Sequence, residues 1–234
     1  ANTMEFAKVR YAQKSNAGVI YKNLNTFAQA NSDNVNFIRK YLTLTKCDLF
    51  FADAAILVEG VAESMLLPHF IRSKFPELYQ RYITILGVNG RHAHRLSPLI
   101  EKLCLPTLVI TDLDPAEKEG YHKSVVLKRG EGQISGNYAI AKWLMKEKDI
   151  DKLVDYSEDK KEFSFASPYR FSIRLAYQTP VKVDFEGEEK EAIPGTFEDC
   201  LIYTNYDLFK KIKVTDSGNL VEQTHDLLNS NDTF

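Results

Sequence analysis

The sequence predicts an α/β fold: a parallel sheet flanked by helices, with a helical N-terminal segment and an inserted α+β region. Three observations carry this. Short apolar runs at 54–58 (A-A-I-L-V), 82–88 (Y-I-T-I-L-G-V) and 105–110 (L-P-T-L-V-I) are separated by stretches of helical spacing, which is the rhythm of βαβ units. A-A-I-L-V is a continuous apolar run, as a central strand covered on both faces requires, and the third run is again apolar until an acid appears. Two of them end in acids, E-G-V-A-E at 59–63 and T-D-L-D at 111–114, at the strand ends where such sheets keep their sites.

Residues 1–50 carry Phe37, Tyr41, Leu44 and Phe50 at helical spacing and are expected to be a helical connector from a preceding domain. Residues 51–150 are the expected core. Within it, Ala62, Leu66 and Phe70 recur every fourth residue until Pro76 stops the helix. Leu96, Leu99, Ile100 and Leu103 trace a second helix, with Pro98 in its first turn. Beyond Asp114 the chain turns polar and glycine-rich, and Y-A-I-A-K-W-L-M-K predicts a short helix with Trp143 in the core. Residues 151–195 read as an insertion: a charged, solvated stretch to 165, then F-S-I-R-L-A-Y-Q and V-K-V-D-F-E-G as an antiparallel hairpin joined through T-P. Residues 196–234 are a helical return, with Thr196 as N-cap and acids in the first turn.

Composition bounds the function. With 44% apolar and 26% charged residues among 234, the chain is an ordinary globular protein. A net charge of −2 speaks against a uniformly basic nucleic-acid coat, although a local basic groove survives such a sum. Cys47, Cys104 and Cys200 are far apart and form no CxxC pair, which suits reduced thiols in a cytoplasmic protein. No run approaches the ~18 apolar residues of a membrane span.

The chemistry gathers on Glu59, Glu63, Asp112 and Asp114. Glu63 stands one helical turn beyond Glu59, and Asp112 and Asp114 stand at i and i+2, where strand side chains share a face. Four converging carboxylates repel one another unless a cation neutralises them. All-oxygen donors suit a hard divalent ion, Mg²⁺ above all in phosphoryl chemistry. Either pair alone reads as well as a helix cap. His92 and His94 lack a third soft ligand, so zinc is not expected. Arg91 and Arg95, in the glycine-containing turn G-V-N-G-R-H-A-H-R, suit phosphate binding or equally a solvated helix start. Lys128 and Arg129 read as a solvated loop that could reach a nucleic-acid backbone. No P-loop and no G-x-S-x-G elbow is present.

V-E-G with a trailing glutamate, then T-D-L-D at a later strand end, resembles the Toprim domain. D-L-F-F-A-D-A-A-I-L-V-E-G-V-A-E-S-M-L-L-P, G-R-H-A-H-R-L-S-P-L-I and G-Q-I-S-G-N resemble stretches of the OLD-family nucleases (overcoming lysogenization defect). The resemblance covers residues 37–145 well. It implies a metal-dependent DNA endonuclease using Mg²⁺ or Mn²⁺, two ions in all, working as a homodimer beside an N-terminal ATPase domain. It assigns Glu59 as metal ligand or general acid/base, Glu63 as the additional acid, and Asp112 and Asp114 as metal ligands. For the further acid of the family, T-F-E-D offers Glu198, with Asp199 second. A late catalytic lysine has no clear match, since Lys210, Lys211 and Lys213 lack its context.

Two rivals use the same residues. A haloacid-dehalogenase-like phosphatase would take Asp112 and Asp114, but Pro115 and Ala116 stand where that family has a β-branched residue, and Glu59 and Glu63 lose their role. A non-catalytic metal-binding interaction module would use the acids for stability or docking alone.

Overall fold

The computed structural model describes residues 8–15, 18–25, 36–38, 44–88, 92–118, 125–166, 169–185 and 187–209. In chain order the strands are β1 (Arg10–Ser15), β2 (Gly18–Asn23), β3 (Ala54–Val58), β4 (Ile83–Gly87), β5 (Thr107–Ile110), β6 (Pro115–Ala116), β7 (Ile134–Ser135), β8 (Glu162–Phe165), β9 (Phe171–Ala176), β10 (Val181–Phe185) and β11 (Glu188–Ala192). The α-helices are α1 (Val61–Lys74), α2 (Pro76–Tyr79), α3 (Ser97–Leu103), α4 (Ile150–Val154), α5 (Phe197–Thr204) and α6 (Tyr206–Phe209). They fall into two compact units, Ala1–Ile110 with Lys161–Leu175, and Thr111–Lys160 with Ala176–Phe234.

The first unit is built on a five-stranded sheet in the order β4-β3-β5-β9-β8. β3 pairs in parallel with β4 (Ile56↔Ile85) and with β5 (Leu57↔Val109), as the three apolar runs predict. Parallel neighbours need a crossover, and α1 and α3 supply the two helices. Leu57, Val58 and Val109 are wholly buried, and Leu96, Leu99, Ile100 and Leu103 form the core-facing stripe of the second crossover. Pro98 lies in the first turn of α3, and Pro76 opens α2 just beyond α1. Pro68 sits inside α1, a helix-interior proline that the periodicity did not flag.

Three sequence expectations change here. Within the segment expected to be helical, β1 and β2 form an antiparallel ladder, with Gly18 at φ 120 where it begins its return. The helix formers of R-Y-A-Q-K-S yield to the ladder once a partner strand is present. The charged stretch to 165 is not simply solvated: it contains α4 and β8, and Lys161 is only 1% exposed. Finally, β9 does not pair with β10. It pairs antiparallel with β8 (Phe163↔Ile173) inside the main sheet, while β10 turns back on β11 (Val183↔Lys190).

In the second unit, β10 and β11 pack on α5, and Val183, Ala192, Ile202 and Tyr203 form the buried cluster that joins them. Thr196 caps α5 in a reciprocal box with Asp199, as its sequence predicts. A single π-turn over Ala139–Trp143 stands where the short helix was expected, with Trp143 half-buried. Among the described residues, no helix is long and apolar enough to cross a membrane.

Candidate functional site

Glu59 is the residue immediately after β3, and Asp112 stands two residues after β5. β3 and β5 are parallel neighbours in register, and each acidic motif follows the carboxyl end of its own strand. Neither motif is consumed by a cap. The N-cap of α1 is Gly60, not Glu59. Asp112 and Asp114 lead into the short strand β6 rather than into a helix.

In the first unit, Glu59 is half-buried and Glu63 is only 3% exposed, in the first turn of α1. A carboxylate there is favoured by the partial positive charge of the helix start. Its side chain folds back over Gly60, so that a Cβ on Gly60 would collide with the Glu63 carboxylate. Gly60 has φ −112, which any residue can adopt, so a side chain there would have only to push aside the Glu63 carboxylate, the far end of a flexible side chain. Ser64 Oγ donates to the Gly60 carbonyl at 2.9 Å and closes the turn.

In the second unit, Asp112 and Asp114 are half-buried, while Thr111 and Leu113 beside them are buried. Asp114 adopts φ 48, a left-handed conformation uncommon outside glycine, asparagine and aspartate. Such strain persists where surrounding bonds over-determine it. Here Gly136 N–H donates to the Asp114 carbonyl at 2.8 Å, Asn137 Nδ2 donates to Asp114 Oδ2 at 3.3 Å, and β6 is zipped to β7. Gln178 Nε2 donates to Asp112 Oδ1. Both amides come from segments that motif reasoning left without a role. Asn137 ends G-Q-I-S-G-N, whereas Gln178, in L-A-Y-Q-T-P, carries no signal at all.

Asp112 and Asp114 also line a cavity of about 240 Å³ with Thr196, Asp199 and Tyr203. Asp199 is therefore the T-F-E-D acid on this wall, while Glu198 is exposed in the first turn of α5. Asp199 is already engaged as an acceptor from Gly195 N–H (3.2 Å) and Thr196 N–H (3.1 Å). Burial, reinforced by the Asp199 charge, pushes the Tyr203 phenol up to about 12, so it presents a neutral hydroxyl at neutral pH.

Each motif by itself offers only carboxylate oxygen, which suits a hard divalent cation and not zinc. Among the described residues, no three His, Cys, Asp or Glu side chains converge closely enough to hold an ion as they stand. The fit is thus one of donor chemistry rather than of a closed cage.

Of the two arginines, Arg95 is half-buried, with its guanidinium over the Phe37 ring at 5.1 Å. Arg91 lies outside the described residues, as do Lys210, Lys211 and Lys213. Arg129 is spent on Asp155 (2.8 Å) and Glu191 (3.4 Å), which leaves the solvated-loop reading of that stretch the better one.

Residues 50–114 match the family model described as "Overcoming lysogenization defect protein-like, TOPRIM domain". Over this stretch the chain is similar to an OLD-like Toprim domain. The Toprim stretch contains Glu59, Glu63, Asp112 and Asp114, so one family pattern spans both acidic motifs. A curated relative, Endonuclease GajA of Bacillus cereus (strain HuB5-5), is 27% identical over 179 residues. The alignment covers 76% of this chain but only 24% of the relative, so the chain spans about a quarter of that protein's length.

Proposed function

We propose that this chain is the nuclease portion of a metal-dependent DNA endonuclease, hydrolysing phosphodiester bonds with two divalent ions. One observation carries the reading: two acidic motifs, neither used as a cap, leave adjacent parallel strands within a single Toprim stretch. The residues that would hold Mg²⁺ or Mn²⁺ are Glu59, Glu63, Asp112 and Asp114, with Asp199 or Glu198 as the further acid. When bound, such ions supply an activated water and neutralise the leaving oxygen.

The chain's own part is to orient and to bind. Glu59, directly after β3, would act as metal ligand or general acid/base. Asp112 and Asp114 are oriented by Gln178 and Asn137. Arg95 keeps its planar guanidinium stacked on Phe37, a restrained cation suited to a backbone phosphate. Arg91 is the second candidate for that contact. In the whole protein an ATPase domain and a homodimeric assembly would control access to DNA.

Incubation of the chain with supercoiled plasmid and Mg²⁺ or Mn²⁺ tests this. Nicking that chelator abolishes is the expected result. Equal cutting by Asp112→Ala would sink the proposal. Stabilisation by metal without any cleavage would point to the non-catalytic module instead.

A further inference from the structure

We infer that the buried carboxamides of Asn137 and Gln178 are positioning residues for the Asp112–Asp114 pair, holding both carboxylates in orientation without adding charge to a cation site. The inference rests on the proposed metal-dependent function.

Both amides are deeply buried, Asn137 at 0% and Gln178 at 5% exposure. Burying a carboxamide is unfavourable unless its donors and acceptor are bonded. Gln178 Oε1 accepts Leu113 N–H at 2.9 Å, which forces Nε2 onto Asp112 Oδ1. A flipped amide would set NH₂ against N–H and oxygen against oxygen. Asn137 is locked in the same way. Its Oδ1 accepts Ala139 N–H at 2.9 Å, so Nδ2 serves Thr111 Oγ1 at 2.7 Å and Asp114 Oδ2 at 3.3 Å. The loop 111–114 is thus gripped from two sides, by the segment after β7 and by the segment after β9. Ala176 reinforces the second grip by accepting Thr111 N–H at 3.0 Å.

Gln133 provides the contrast. It is also buried (8%), but its amide bonds backbone, accepting Lys128 N–H and donating to the Val126 carbonyl. That is what a loop-holding amide does. Gln178 instead spends a donor on Asp112, and Asn137 divides its NH₂ between the Thr111 hydroxyl and Asp114. Lysine or arginine would orient a carboxylate as firmly, but its positive charge would oppose a cation. A neutral amide avoids the conflict, which is the usual logic of partners that orient metal ligands.

The test is Mn²⁺ uptake by the full chain without DNA, read from the free-Mn²⁺ electron paramagnetic resonance signal, beside melting temperature in chelator. Gln178→Met keeps length and removes the donor; Asn137→Ala is the second variant. Each is expected to weaken Mn²⁺ affinity by about 10- to 100-fold, and to raise the Mg²⁺ midpoint for plasmid cleavage more than it lowers the saturated rate. Should Asn137→Ala fail to fold, Gln178→Met is decisive alone. A lowered melting temperature with unchanged Mn²⁺ affinity in Gln178→Met makes the amide merely structural and overturns the inference. Wild type that takes up no Mn²⁺ overturns it together with the metal site. Wild type that takes up Mn²⁺ yet leaves DNA intact overturns the endonuclease reading only.

Discussion

The carboxylate of Glu63 occupies the space that a side chain on Gly60 would need. The two positions are therefore one unit of design: a strand end, a residue with no side chain, and an acid folded back across it from the first helical turn. Gly60→Ala is expected to displace the Glu63 carboxylate at a cost below the ~1–3 kcal/mol of overpacking a rigid core, because the clash falls on the end of a flexible side chain. Gly60→Ala/Glu63→Ala should recover most of that loss, while Gly60→Ala/Glu63→Gln, which keeps the bulk, should not. Urea denaturation of the set measures the coupling. Additive losses would show that the two residues do not compete for space.

Asp112 and Asp114 occupy one strained loop and should fail together. Asp112→Asn and Asp114→Asn are each expected to slow metal-dependent cleavage by about 100-fold or more, the scale of a group acting at the reacting centre. Single-turnover cleavage at saturating Mg²⁺ checks this. A variant with wild-type rate removes that residue from the site.

Tyr203 ties the cavity wall to alkaline stability. Its phenol is raised from 10.0 to about 12 by burial first and by Asp199 second. Below pH 10 the phenol is protonated in both folded and unfolded chains, and the buried form is fully stable. As pH rises toward 12 the unfolded chain ionises first, so stability is lost over that window. Tyr203→Phe should flatten the fall in urea midpoint that wild type shows as pH rises through the ordinary phenol range of about 10. An unchanged slope would assign the fall to other groups.

Thr196 and Asp199 close a reciprocal cap on α5. Thr196→Ala should lower stability by about 1 kcal/mol, while leaving the carboxylate of Asp199 on the cavity wall. Denaturant midpoint together with cleavage rate separates the two roles of this turn. If the rate falls as steeply as in Asp112→Asn, Thr196 acts in the site itself.

Arg129 bridges Asp155 and Glu191 at the surface, its side chain 35% exposed. The pair raises its pKa through the Asp155 hydrogen bond, but exposed pairs are worth little once screened, about 0–1 kcal/mol. Arg129→Ala should leave DNA binding unchanged in gel-shift titration, whereas Arg95→Ala should weaken it. The reverse order would move the DNA-binding face.

Much of the architecture was legible in the chain. A-A-I-L-V, T-L-V-I and I-T-I-L-G are apolar enough to be read as buried parallel strands, and Thr196 with Asp199 announces a helix start. Both acid motifs were legible for the same reason, since a charge at the end of an apolar run is conspicuous. The hairpin of β1 and β2 was not, because its strands mix helix-forming and strand-forming residues and gain order only from each other. F-S-I-R-L-A reads correctly as a strand, yet its periodicity says nothing about whether β8 or β10 lies beside it.

What the sequence by itself determined is part of the local pattern: the apolar strands of the sheet, the helices that follow them, and the acids at their ends. Period and polarity are properties of neighbouring residues, so they can be read along the chain. Only the tertiary structure decided that Lys161 is buried, that Gly60 makes room for Glu63, and that Asn137 and Gln178 grip the loop carrying Asp112 and Asp114. Those facts join residues up to 66 positions apart. Hydrogen bonds and excluded volume act through space at about 3 Å, whatever the distance along the chain.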